Sequence, residues 1–452
     1  MNRDKLDFRN EKIGRLFKSL FFPTLVAMVF NSVLNICDGM FVGHGVGPDG
    51  LAAINIVAPF FLLTVGIGLM FGFGASVIGS IRLSENNVKA ARIIMTQAYI
   101  AGAVIFAVII AVTLLFTDEI LRLLGSSDRL LDLARDYLVW LLPGFFFYYL
   151  QSVGMILVRL DGSPKYAMSV QVVAAILNIF LDWLMVFPLE MGIKGASIAT
   201  SFSCVVGGSM VMVYFIFLSD KLKFYRLKRS WKSFKLTMRN VGYMTKIGMA
   251  TFLQEIAMGG MMVTGNYMFM RYLGEAGVAA FSVGCYLFPI MFSISNAVAQ
   301  SAQPIISFNY GAKEMDRVAK ALRIALTTSV LCGGLISAAM WLGAPALSFV
   351  FLPEGSEAFA IASHGLPILG ICSLFFAVNV TLIGYYQSIE KVVVSTLYSL
   401  LRGIIFVIPT FILLPMTFGD TGLWLAIPAA EILTMLIIIV VFRISRHNAI
   451  AS

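Results

Sequence analysis

Charge is scarce in this chain: 13% of its 452 residues are Asp, Glu, Lys or Arg, about half of what a soluble globular protein carries. Apolar residues make up 59%, and the mean hydropathy is +0.89. A water-solvated fold of one or two domains is excluded. Cysteine is sparse too. Cys37, Cys204, Cys285, Cys332 and Cys372 stand singly in apolar surroundings, with no CxxC and no paired spacing, which excludes a disulfide framework or a structural zinc site. Of the three histidines, His44, His364 and His447, none is spaced with another for a metal. HExxH, a nucleophile elbow, a Walker motif and GxGxxG in a strand-to-helix context are all missing, so intramembrane protease, ATPase and dehydrogenase readings have no residues to stand on.

What is present is a succession of apolar runs of transmembrane-helix length, where an outer-membrane barrel would show short alternating segments. Cutting at polar and Gly/Pro-rich breaks predicts an all-α polytopic membrane protein. Its twelve spans lie at roughly 19–42, 51–80, 93–116, 137–157, 166–187, 196–218, 247–270, 278–306, 324–350, 365–387, 392–414 and 422–442. The N-terminal MNRDKLDFRNEKIGRLF is mixed in charge and lacks a small-residue cleavage site, so no cleaved leader is expected.

Orientation follows from Lys and Arg. With the N-terminus in the cytoplasm, 27 of the 33 fall in cytoplasmic segments, and five (Arg122, Arg129, Arg135, Lys194 and Arg271) fall outside. Arg402 is within a span. This bias predicts that both termini are cytoplasmic, with multi-pass insertion in a bacterial inner membrane. The densest basic block, at 219–246, reads as a linker lying on anionic headgroups rather than a nucleic-acid site, and it divides an N-lobe at 1–218 from a C-lobe at 247–452.

An internal repeat supports the division. VGPDGLAA at 46–53 matches LGEAGVAA at 273–280, a displacement of 227 residues, and Gly192 and Gly195 match Gly419 and Gly422 at the same displacement. A duplicated six-helix unit has an even number of spans. Both copies therefore enter the membrane from the same side, as parallel repeats facing one another across a cavity suited to alternating access.

Ionisable residues inside spans cost at least about 2.5 to 3.5 kcal/mol each on insertion scales, so each is a functional candidate. There are five: Asp38, Asp182, Glu255, Arg402 and Glu431. At about 1.5 Å per residue, Asp38 lies about four residues from the outer end of span one, Asp182 about five from that of span five, and Thr200 about four into span six. Asn178 is one turn deeper than Asp182 on the same face. Two carboxylates, an amide and a hydroxyl thus share one depth, a set of hard oxygen ligands for a small cation or a pair of proton carriers. Snorkelling to water would be an ordinary explanation for Asp38, and helix-to-helix bonding for Asn178 and Thr200; the shared depth is what favours a site. Glu255, in FLQEIAMGGM, is the C-lobe candidate for coupling, with a water-contacting cavity residue as the alternative. Arg402 and Glu431 are each about eleven residues from the cytoplasmic ends of neighbouring spans and read as a buried structural ion pair.

These residues resemble a known family. Asn35 and Asp38 in NSVLNICDGMFVGHGVGPDGLAA, GSPKYAM at 162–168, Asn178 and Asp182 in ILNIFLDWLMVF, GASIAT at 195–200 and QPIISFNYGA at 303–312 look like the multidrug and toxic compound extrusion (MATE) transporters, closest to the bacterial MepA-like subgroup. The resemblance covers nearly the whole chain. It implies a non-enzymatic rocker-switch antiporter with two six-helix lobes, exporting small amphipathic or cationic molecules in exchange for Na⁺ or H⁺. It also implies a cation site at Asp38, Asn178, Asp182 and Thr200, and a coupling glutamate at Glu255. Members with a second cation site carry an aspartate in span ten, where this chain has Asn379. No cofactor and no metal beyond Na⁺ at that site is expected; the partners expected are substrate and membrane lipid, no nucleic acid, and the state a monomer. Fifteen tyrosines, 37 phenylalanines and 24 methionines suit an adaptable cavity for organic cations, although they also fill any membrane core.

Two other functions compete with this reading. A lipid-linked saccharide flippase of the same fold superfamily should line its cavity with several arginines, and only Arg402 is within a span. A membrane-embedded enzyme or structural subunit should cluster acids or histidines at one aqueous face, and no such cluster is seen. Between the two ions, Na⁺ is favoured because Asn178 and Thr200 add neutral oxygens beside the acids, whereas a proton relay could run on carboxylates alone.

Overall fold

The computed structural model describes residues 6–451, and the side chains of 6–47 and 49–440. Arg3, Lys5 and the side chains of Arg443, Arg446 and His447 lie outside the described residues. Among those described there is no strand, as expected of a chain whose backbone polar groups must be satisfied within each span. The helices are α1 Ile13–Gly45, α2 Pro48–Ser84, α3 Val88–Leu115, α4 Thr117–Leu123, α5 Asp128–Leu160, α6 Pro164–Val186, α7 Gly192–Val213, α8 Trp231–Gly311, α9 Met315–Leu342, α10 Ala344–Phe351, α11 Glu357–Ser388, α12 Val392–Leu400 and α13 Val407–Ala451.

Among the described residues ten helical stretches are long and apolar enough to cross a membrane, and two of them hold two spans each. Within α8 the path breaks at Gly274 (φ 61°), and within α13 at Gly419 (φ 55°). Both need a left-handed conformation that a Cβ disfavours, so glycine makes the turn between consecutive spans. Two breaks bring the spans to twelve, the number read from the sequence. The short α4 lies in the connection between the third and fourth expected spans, whereas α10 corrects the ninth: the stretch expected as one span at 324–350 ends as α9 at Leu342 and its last residues form the separate helix α10.

The displacement of 227 recurs in the backbone. Val88–Leu115 and Met315–Leu342 have both bounds separated by 227, as do the starts of α4 and α10 and the C-terminal ends Ser84 and Gly311 of α2 and α8. Left-handed residues recur likewise: Gly47 with Gly274, Asn86 with Lys313, and Gly192 with Gly419.

Two compact units form. Unit 1 comprises Met1–Glu255 with Pro304–Val318, and unit 2 comprises Ile256–Gln303 with Ala319–Ser452. In unit 1, α5 is central, packing on α2, α3, α6 and α7. Its Tyr149 hydroxyl donates to the Ala98 carbonyl at 2.6 Å, and the ring fills the space over Gly102, where a Cβ would lie 1.8 Å from Cζ. In unit 2, Phe269 stacks on Phe281 at 4.6 Å between ring centroids and meets Trp424 edge-on at 4.9 Å. With lipid as apolar as the core, such close packing carries the association between helices.

The basic segment 219–246 is docked, not free. Asp161, just after α5, accepts hydrogen bonds from the Tyr214 and Ser219 hydroxyls at 2.8 Å and from the Leu222 and Lys221 amides at 2.9 and 3.2 Å. Gln97 donates to the Thr237 hydroxyl at 2.9 Å, and its carbonyl accepts from Asn240 at 2.9 Å.

Candidate functional site

The acids of unit 1 are positioned by helix-to-helix packing. Asp38 is in the last third of α1, Asn178 and Asp182 are one turn apart on α6, and Thr200 is in α7; α6 packs against both α1 and α7. Asn178 and Asp182 are completely buried, and Asn178 Nδ2 donates to Thr200 Oγ1 at 3.2 Å. Asp38 and Asp182 are within electrostatic reach of one another. The four residues read from the sequence are therefore placed on three adjoining helices.

Their oxygens are conspicuously unused. Asp38 Oδ1, Asn178 Oδ1 and both Asp182 carboxylate oxygens are buried and accept no hydrogen bond. Buried acceptors are almost always satisfied, so four orphans on neighbouring side chains single this set out as the candidate site. The Asn178 bond to Thr200 uses the amide nitrogen and leaves its oxygen free, as a cation ligand must be. Among the described residues no group of three or more His, Cys, Asp and Glu could hold a metal ion.

Sequence reading missed two features around this set. Tyr137 of α5 is buried within electrostatic reach of both Asp38 and Asp182. A chain of amides crosses the same helices: Gln171 Nε2 donates to Asn31 Oδ1 at 3.0 Å, and Gln151 Nε2 donates to Gln171 Oε1 at 3.0 Å. Asn31 precedes Asp38 by seven residues, and Gln171 precedes Asn178 by seven. Two helical turns, about 10 Å, separate the layers on one face of each helix. That spacing is visible in the sequence once heptad partners of the acids are sought.

Glu255 stands apart from this set. It is buried in α8 against α2, its Cβ 3.7 Å from where Gly66 would carry one. In unit 2, Arg402 and Glu431 are paired, Nη2 to Oε1 at 2.9 Å, and both are buried. Asn379 bonds to the same carboxylate at 2.7 Å.

The family profile described as MatE matches this chain twice, over residues 23–184 and 250–413. The chain belongs to the MatE family. The starts of the two MatE matches are themselves 227 residues apart, and the first match contains Asp38, Asn178 and Asp182. Similar relatives span nearly its whole length. The multidrug export protein MepA of Staphylococcus aureus is 23% identical over 96% of this chain and 95% of its own, and the FAD transporter of Shewanella oneidensis is 24% identical over 95% and 94%. In fold, the chain is similar to an outward-facing multidrug resistance MATE transporter structure, with a TM-score of 0.91, 20% identity and full coverage of both chains. It is a multi-pass membrane protein with a transporter fold.

Proposed function

We propose that this protein is a secondary antiporter that exports small amphipathic or cationic molecules in exchange for Na⁺ or H⁺. Four orphaned buried oxygens on Asp38, Asn178 and Asp182 carry the reading. A cation or proton arriving there satisfies acceptors that otherwise remain unpaired, so occupancy changes the energy of the helices that hold them. Coupling follows if the loaded and empty forms favour different faces of the membrane.

The repeated helix bounds and repeated left-handed positions support two parallel six-helix repeats related by an axis along the membrane normal. The Lys and Arg bias supports cytoplasmic termini in a bacterial inner membrane. Multidrug export by the relative from Staphylococcus aureus supports the substrate class, and the transporter relatives support a non-enzymatic role. The flippase alternative gains nothing from Arg402, which is engaged by Glu431 and so is not held free for a pyrophosphate.

Counterflow of a fluorescent organic cation in proteoliposomes, under separately imposed Na⁺ and H⁺ gradients, tests the proposal. Dye movement driven by either gradient supports antiport. Movement indifferent to both refutes ion coupling.

A further inference from the structure

Unit 2 contains a buried acid in a state opposite to that of Asp182. Glu431 on α13 is 3% exposed, and both its oxygens are taken by the protein's own donors. Arg402 Nε lies 3.0 Å from Oε1 and 3.3 Å from Oε2, with Nη2 2.9 Å from Oε1. Asn379 of α11 donates through Nδ2 to Oε2 at 2.7 Å and to the Glu431 backbone carbonyl at 2.9 Å. The guanidinium centre also lies 4.1 Å from the ring centroid of Phe376. A carboxylate on one side and an aromatic face on the other are the two features by which proteins hold a free organic cation. Asn379 Oδ1, beside them, is buried and accepts no hydrogen bond.

The local backbone serves this placement. Arg402 lies in a π-helical turn, Leu401–Ile405, between α12 and α13, and such turns recur where a side chain must be re-aimed. Gly403 in the same turn lets it rest on α8, since a Cβ there would lie 2.3 Å from that of Ala257.

We propose that Arg402 is a tethered counter-cation: its guanidinium fills an organic-cation site built by Glu431, Phe376 and Asn379, and by filling it keeps unit 2 out of ion exchange. The exchanged ion is then left to Asp38 and Asp182, where Asp38 Oδ1 and both Asp182 oxygens are buried without a partner. The ion-exchange part rests on the antiport reading above; the cation site itself does not. Removing the guanidinium leaves a vacancy of defined chemistry, a buried carboxylate beside an aromatic ring. Free methylguanidinium should enter it.

The experiment measures thermal unfolding of the purified full chain with and without millimolar methylguanidinium. In R402A the additive raises Tm by at least about 2 °C, as expected for a ligand well above its Kd, and it leaves the wild type and R402A/E431Q unchanged. An equal shift in R402A/E431Q, or none in R402A, overturns the site. If R402A survives purification only with methylguanidinium present, that dependence supports the site, provided that R402L/E431L folds without the additive. Failure of R402A to be recovered even with methylguanidinium, while R402L/E431L folds, overturns it. The second readout is the Na⁺ dependence of dye counterflow, which becomes steeper in R402A as Glu431 joins the exchange; an unchanged steepness overturns the claim that Arg402 excludes unit 2. Loss of all ion dependence in the wild type would refute antiport and leave the methylguanidinium result standing.

Discussion

Ser80 donates a buried hydrogen bond to Ser307, a residue 227 positions further on. That is the displacement separating Gly47 from Gly274 and Val88 from Met315. Ser84 and Gly311, again 227 apart, also meet: a Cβ on Gly311 would lie 2.4 Å from the Ser84 hydroxyl. If the chain is the duplication proposed above, equivalent positions that touch would lie near the axis relating the two copies. Alternating access through paired repeats would require such a contact to open once per cycle.

The corresponding prediction is a lock. With the five native cysteines replaced, S80C/S307C should form a short cross-link under oxidation, and dye efflux should stop. Reduction should restore it. Continued efflux from a fully cross-linked sample, scored by gel mobility after a protease cut in the 219–246 segment, would show that this contact stays closed throughout transport.

Removing charge from the open acids should uncouple the protein without unfolding it. Asp38→Asn and Asp182→Asn change no volume, and in each an amide replaces a carboxylate that has at least one buried orphan oxygen. Efflux driven by an ion gradient is expected to be lost in each variant while expression and thermal stability stay near wild type. A well-expressed double variant with full activity would exclude unit 1 as the coupling site.

Asp161 supports a separate prediction about the basic segment. It accepts four hydrogen bonds, two from hydroxyls and two from the amides of Lys221 and Leu222. Asp161→Ala orphans those donors and should cost about 2 to 4 kcal/mol, with Asp161→Asn smaller because one oxygen acceptor remains. Limited proteolysis within 219–246 should accelerate in that order. Equal cleavage of all three proteins would mean that the segment is held elsewhere.

The twelve spans were legible because each is an apolar run of membrane length, and the turns at Gly274 and Gly419 fell at breaks in hydropathy. The constant rise per residue let a common depth be expected of Asp38, Asp182 and Thr200; what the structure adds is that α6, which carries Asp182, packs against both α1 and α7. Tyr137 was not, since one tyrosine among many apolar neighbours carries no mark of the helix it faces. The docking of 219–246 was not legible either. Its nine Lys and Arg residues suggest contact with headgroups, whereas the bonds that hold it come from Asp161 and Gln97, which are distant in sequence and unremarkable in composition. Hydropathy reports which segments leave water; it does not report which side chains meet.

The identity of the coupling ion separates by ligand chemistry. Na⁺ needs several oxygen ligands, and a proton needs only a carboxylate. Asn178 presents a buried oxygen without a partner, and Thr200 holds that amide in place by accepting from its nitrogen. If Na⁺ is the ion, Asn178→Ala removes a ligand outright. Thr200→Ala frees the amide to turn, so both should raise the Na⁺ concentration needed for half-maximal efflux, Asn178→Ala by about tenfold or more, corresponding to about 1.4 kcal/mol. The affinity for dye, measured at equilibrium without an ion gradient, should change less. Above neutral pH, where protons are scarce, Na⁺ should still drive the wild type. Should efflux instead follow the pH gradient alone, indifferent to Na⁺ and to both substitutions, then the two carboxylates act as proton carriers and the neutral oxygens only join α6 to α7.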